Sequence, residues 1–64
     1  MIIKDENDFL GFIIQNSTDD FANQYELLQL SGLDHETYNY YVNLLKSKNY
    51  LQTDLANVYL TDLG

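Results

Sequence analysis

His35 stands between Asp34 and Glu36, and an imidazole beside carboxylates is a pairing used by metal sites and by general acid–base catalysis. Either chemistry needs several groups converging from different parts of the chain. The sequence has one histidine and no cysteine, so a solvated residue in the first turn of a helix is the reading its neighbours support. Two acidic runs, Asp5-Glu6-x-Asp8 and Asp19-Asp20, invite hydrolysis or calcium binding. Neither alternates oxygen ligands around a glycine turn as a calcium loop does, and helix capping and solubility account for both. Ser17, Thr18, Ser31 and Ser47 have no histidine or lysine placed to activate them, so no nucleophile is expected. The expectation is a protein that is not an enzyme and holds no metal or cofactor.

Charge narrows the choice of partner. Ten acidic residues face three lysines and no arginine, a net charge of −7. Affinity for nucleic acid comes largely from neutralised phosphates, and three lysines limit that contribution to roughly three contacts. Such a chain suits a basic protein partner, or stays soluble through its charge. No apolar stretch approaches the about 20 residues of a membrane span. The start, Met1-Ile2-Ile3-Lys4-Asp5-Glu6, lacks the basic and apolar regions of a signal peptide. A cytoplasmic location is expected, and the oligomeric state is left open.

The elements that must position these residues fit one domain over residues 1–64. A chain of 64 residues without cysteine lies near the lower limit for folding without staples, so its core must come from packing alone. An apolar fraction of 45%, with six tyrosines and three phenylalanines, is too high for a disordered tail. There is no proline or low-complexity stretch to mark a linker.

A first helix is predicted from about Glu6 to Asn16, with Asp5 as N-cap and Glu6 and Asp8 in the first turn, where the helix dipole favours them. Phe9, Leu10, Ile13 and Ile14 form its apolar stripe, widened by Phe12. Gly11 is costly inside a helix and marks a place where another backbone could come close. Asp19 to Ala22 reads equally as a helical turn or a short strand. Asn23-Gln24-Tyr25-Glu26 resembles a capping box, opening a short helix with Leu27, Leu28 and Leu30 that Ser31-Gly32 stops. Asp34 is the next N-cap. Tyr38, Tyr41, Val42 and Leu45 then recur at the spacing of an amphipathic third helix. Lys46 and Lys48 sit in its last turn, and Asn49 follows as a left-handed residue. Tyr50-Leu51-Gln52-Thr53 and Asn57-Val58-Tyr59-Leu60-Thr61 alternate as strands around a compact Asp54-Leu55-Ala56 turn.

Two helices around Ser31-Gly32-Leu33, a longer helix ending Leu44-Leu45-Lys46-Ser47-Lys48-Asn49-Tyr50-Leu51, and a hairpin closing on Leu60-Thr61-Asp62-Leu63-Gly64 together resemble the winged helix-turn-helix superfamily. The likeness is to MarR-like and PadR-like regulators, bacterial or phage. Members carry a Leu-x-x-x-Gly element at the end of the recognition helix, here Leu45 to Leu51 with Asn49 in the glycine's place. They carry a Leu-Thr-x-x-Gly element after the wing, here Leu60 to Gly64. The resemblance implies an α+β fold of three helices followed by a two-stranded wing. In the DNA-binding members the second element usually opens a further helix, often used for dimerisation, whereas the sequence in hand ends at Gly64.

If the third helix occupied the place of a recognition helix, its outer face would be His35, Glu36, Asn39, Tyr40, Asn43 and Lys46. Asn39 and Asn43 could address base edges, but Asp34 and Glu36 stand at the end that normally enters the groove. The wing turn offers Asp54 and no cation. The expectation is therefore a protein-interaction module that regulates or inhibits a basic, nucleic-acid-handling partner, in the extreme a phage-type mimic of DNA. Its partner surface would comprise His35, Glu36, Asn39, Tyr40 and Asn43, within an acidic surface of Asp5, Glu6, Asp8, Asp19, Asp20 and Asp54. Tyr40 is the exposed aromatic of the kind that anchors protein interfaces. The alternative is a DNA-binding transcriptional regulator or its N-terminal domain.

Overall fold

A computed structural model of the chain describes residues 3–61. The elements run α1 (Glu6–Gln15), β1 (Phe21–Asn23), α2 (Gln24–Ser31), α3 (His35–Ser47), β2 (Leu51–Thr53) and β3 (Asn57–Leu60). The α+β class holds, but the sheet has three antiparallel strands in the order β1-β3-β2 rather than two. β1 is the segment whose sequence allowed either a turn or a strand. Phe21 pairs with Tyr59, Ala22 with Val58 and Asn23 with Asn57. The ladder extends at both ends, where Leu60 N donates to Asp20 O (2.7 Å) and Gln24 N to Ala56 O (2.8 Å). Asp19 and Asp20 take left-handed backbone angles (φ 54° and 67°), which aspartate tolerates better than most residues. They turn the chain out of α1 while Thr18 and Phe21 exchange backbone hydrogen bonds.

Caps set the helix limits. The Asp5 carboxylate accepts from Asp8 N (2.9 Å), and the Asp8 carboxylate accepts from Lys4 N (3.1 Å). Asn23 accepts from Glu26 N (3.1 Å), the forward half of the expected capping box. Gly32 ends α2 at φ 71°, where a side chain would be strained. Asp34 occupies the N-cap of α3 without a side-chain bond.

Phe9, Ile13, Leu27, Leu45, Leu51 and Val58 are fully buried, joined by Phe12, Ala22, Tyr38 and Val42. Every element thus contributes to one core. Three expectations need correction. Phe12 is buried with the stripe it was expected to widen, but Ile14 is exposed: at about 100° per residue, Phe12 and Ile13 flank Phe9, whereas Ile14 falls well round the helix. Leu30 is likewise exposed, because the short α2 meets the core through Leu27 and Leu28. Gly11 faces solvent, and a Cβ there would meet nothing within 4 Å, so no backbone approaches it.

Asn49 has φ 65°, the left-handed conformation its position required. Thr61, in the second shared element, donates from its backbone N to Tyr50 O (3.1 Å) and from its hydroxyl to Asn49 O. The two stretches that carried the family resemblance therefore meet in space. Residues 62–64 of the second stretch lie outside the described residues. Lys48 Nζ also ties the end of α3 to α1 through Glu6 Oε1 (2.6 Å). Since Gly11 is exposed and spatially open, Gly11→Ala is expected to stabilise the fold by about 0.5–1 kcal/mol. Urea unfolding checks this, and a loss of stability would show that the position needs glycine.

Candidate functional site

Gly32 and Leu33 join α2 to α3, and the β2–β3 turn is tied to the start of α2 by Gln24. Gln24, Tyr25 and Leu28 of α2, His35, Tyr38 and Asn39 of α3 and Leu55 of the turn enclose a hollow of about 270 Å³. Of the residues expected on the partner face, His35, Glu36, Asn39, Tyr40 and Asn43 are all exposed, but they do not form one site. His35 and Asn39 border the hollow. Tyr40 lies on the other flank, with Tyr41, Leu44 and the start of α1 at Lys4, Asp5 and Glu6. Its ring centre is 5.7 Å from that of Tyr41.

The turn beside the hollow is built by Asp54. Its Oδ1 accepts from Ala56 N (3.0 Å) and Asn57 N (2.9 Å), and its Oδ2 accepts from the Tyr59 hydroxyl (2.8 Å). The backbone N–H of Ala56, then the Tyr59 hydroxyl and the N–H of Asn57, hold the carboxyl below the usual aspartate range. The same bond raises the pKa of Tyr59. Gln24 Nε2 donates to Asp54 O (2.9 Å), fastening the turn to α2. With its side chain and carbonyl engaged, Asp54 leaves Leu55 at the apex, fully exposed. Asp54 thus organises the turn besides adding charge.

The other acidic residues divide similarly. Asp5 and Asp8 cap α1, Glu6 pairs with Lys48, and Asp19 and Asp20 form the exposed left-handed turn before β1. Among the described residues no group of three or more His, Cys, Asp or Glu could hold a metal ion, and no helix is long and apolar enough to cross a membrane.

Tyr38 is the buried member of the hollow's lining, only 3% exposed. One side of its ring meets Phe9 edge-on at 5.4 Å. Its hydroxyl has no hydrogen-bond partner among the described residues, and burial pushes its pKa up to about 12. Helical periodicity reads Tyr38 simply as core, and its burial agrees with that. Around the hollow, Tyr25 is 68% and Leu30 64% exposed, and both frame a second depression with Glu26 and Gln29. With the uncovered Leu55, they are the three most exposed of the large hydrophobic residues described.

The chain matches no protein-family model, and neither a curated protein nor a solved structure shows significant similarity to it.

The lowered pKa of Asp54 fixes a sign. Its bonds stabilise the fold above the unfolded aspartate pKa near 3.8, and that contribution is lost as pH falls through the depressed folded value. Asp54→Ala is therefore expected to lower the urea midpoint at neutral pH, with the gap to wild type closing as the carboxyl is protonated. An equal gap at neutral and strongly acidic pH would contradict this role for the ionised group.

Proposed function

We propose that this chain is a non-enzymatic protein-interaction module on a winged-helix scaffold, presenting the outer face of α3 and the adjoining hollow to a basic partner. The observation that carries the reading is the exposure of Tyr25, Leu30 and Leu55 on a chain of net charge −7. Apolar groups ringed by charge are the anatomy of a protein interface, where buried aromatic and aliphatic anchors supply affinity and the rim supplies orientation. The carboxylates give a basic partner electrostatic steering.

The winged-helix assignment draws support from the order α2, tight turn, α3 and hairpin, and from left-handed Asn49 in place of the shared glycine. Within that scaffold α3 takes the position of a recognition helix. Its outer face offers Asn39 and Asn43, which could address adenine edges, but no cation stands in its first turn to neutralise phosphate. The process served is regulation or inhibition of a nucleic-acid-handling protein, in the extreme by standing in for DNA.

A fluorescent random-sequence duplex and a nona-arginine peptide, each titrated at low salt, test the choice. The account predicts binding of the peptide, weakening as salt rises, and no binding of the duplex. Micromolar duplex binding that falls steeply with salt would establish the DNA-binding alternative instead. Tyr40 is 61% exposed, so Tyr40→Ala should keep the circular dichroism spectrum and weaken peptide binding by about threefold to tenfold. An unchanged affinity would remove Tyr40 from the interface.

A further inference from the structure

We infer that the outer face of α2 docks a cationic, amphipathic helix of the partner. The inference rests on the reading of the chain as a module for a basic protein, and adds where that protein sits and in what form.

α2 meets the core through fully buried Leu27 and partly buried Leu28. At about 100° per residue, the direction opposite those two falls midway among Tyr25, Glu26, Gln29 and Leu30, and all four are exposed. A surface helix ordinarily turns polar groups that way. α2 turns two large apolar side chains outward instead, Tyr25 and Leu30, each more than three-fifths exposed. The four residues line a shallow depression of about 370 Å³. Tyr25 also borders the hollow that Leu55 lines, so the three most exposed apolar residues are linked through its ring.

The form of the occupant follows from what this face offers. Strand addition needs unpaired backbone N–H and C=O groups, and inside a helix those groups are already bonded along its axis. Recognition here goes through side chains. A partner segment that presents spaced apolar groups on one side is an amphipathic helix laid against the face.

Charge gives the sign of that helix. Glu26 lines the depression with Tyr25 and Leu30, and it makes no ion pair among the described residues. None of the three lysines lines the depression or the hollow. Lys4 borders the surface at Tyr40 and Tyr41, Lys48 is bound to Glu6, and Lys46 lies in the last turn of α3. From Asp5 to Leu45 the sequence carries every carboxylate except Asp54 and Asp62, and neither lysine nor arginine. A cationic helix is drawn to this face and breaks no ion pair of Glu26 on arrival. A second copy of the chain brings the same charge of −7, which opposes its docking.

Three peptides of about five helical turns separate shape from charge. One carries leucines along one side and lysines on the other, the second scrambles that composition, and the third replaces every lysine by glutamine. In isothermal titration of the whole chain at low salt, the first is expected to bind about tenfold tighter than either control. Leu30→Gln and Tyr25→Gln, both at exposed positions, should keep the urea midpoint and each cut that advantage about fivefold. Glu26→Gln should flatten the salt dependence. Equal binding of the scrambled peptide, or an advantage that both Gln variants leave intact, would overturn the α2 docking face while leaving the basic-partner reading in place. Wild-type dimerisation in sedimentation that Leu30→Gln abolishes would assign the face to a second copy and overturn the inference. Equal binding of the glutamine peptide, or binding of neither lysine peptide, would overturn both the inference and that reading.

Discussion

Phe9 holds the two longest helices together. Its ring is fully buried in α1, tilted against Phe12 at 6.2 Å, edge-on to Tyr38 at 5.4 Å and stacked on Tyr41 at 5.4 Å. Two of those partners belong to α3, so the packing of α1 on α3 is largely aromatic. Truncating a buried phenylalanine costs about 3–5 kcal/mol, the size of the whole stability that a cysteine-free domain of this length commands. The same contact fixes Tyr38 and therefore the base of the hollow. Core and candidate site share one residue, which leaves the site little freedom to move apart from the fold.

Scarcity of core gives the exposed residues their meaning. A domain with so few buried side chains would gain stability by covering any large apolar group it has. Tyr25, Leu30 and Leu55 instead lie open around the start of α2 and the β2–β3 turn. Leu55 is held out by the carboxylate and carbonyl of Asp54, both engaged in the turn and in its tie to Gln24. The network that stabilises the turn thus holds a leucine in water at the same time. Contact with another protein, which would cover that leucine, is the role consistent with it.

Much of this architecture was legible in the residues. Asp5, Asn23, Gly32 and Asn49 announce helix limits because each satisfies a local backbone requirement that only a few residue types meet. The outer face of α3 was readable from periodicity, and His35, Glu36, Asn39, Tyr40 and Asn43 are exposed as it implied. β1 was not readable, because a strand of three residues carries almost no pattern and exists through its pairing with β3, more than thirty positions away. Ile14 and Leu30 were misplaced because an apolar stripe does not say which of its edges meets the core. The hollow was hidden for a related reason: α2, α3 and the hairpin turn each contribute a few residues, and only the folded chain brings them together. Asp54 could have been read more fully, since an aspartate opening a tight turn commonly accepts from the backbone two and three residues on.

The central claim is that the α2–α3–turn side of the molecule is a docking surface for a cationic protein. Amide chemical shifts of the ¹⁵N-labelled chain during titration with nona-arginine test it most directly. Saturable shifts are expected, concentrated at the residues that border the hollow and at Tyr40, with smaller changes at Asp19 and Asp20. Shifts spread evenly over every carboxylate, or centred on the Asp19-Asp20 turn while the hollow stays silent, would contradict it.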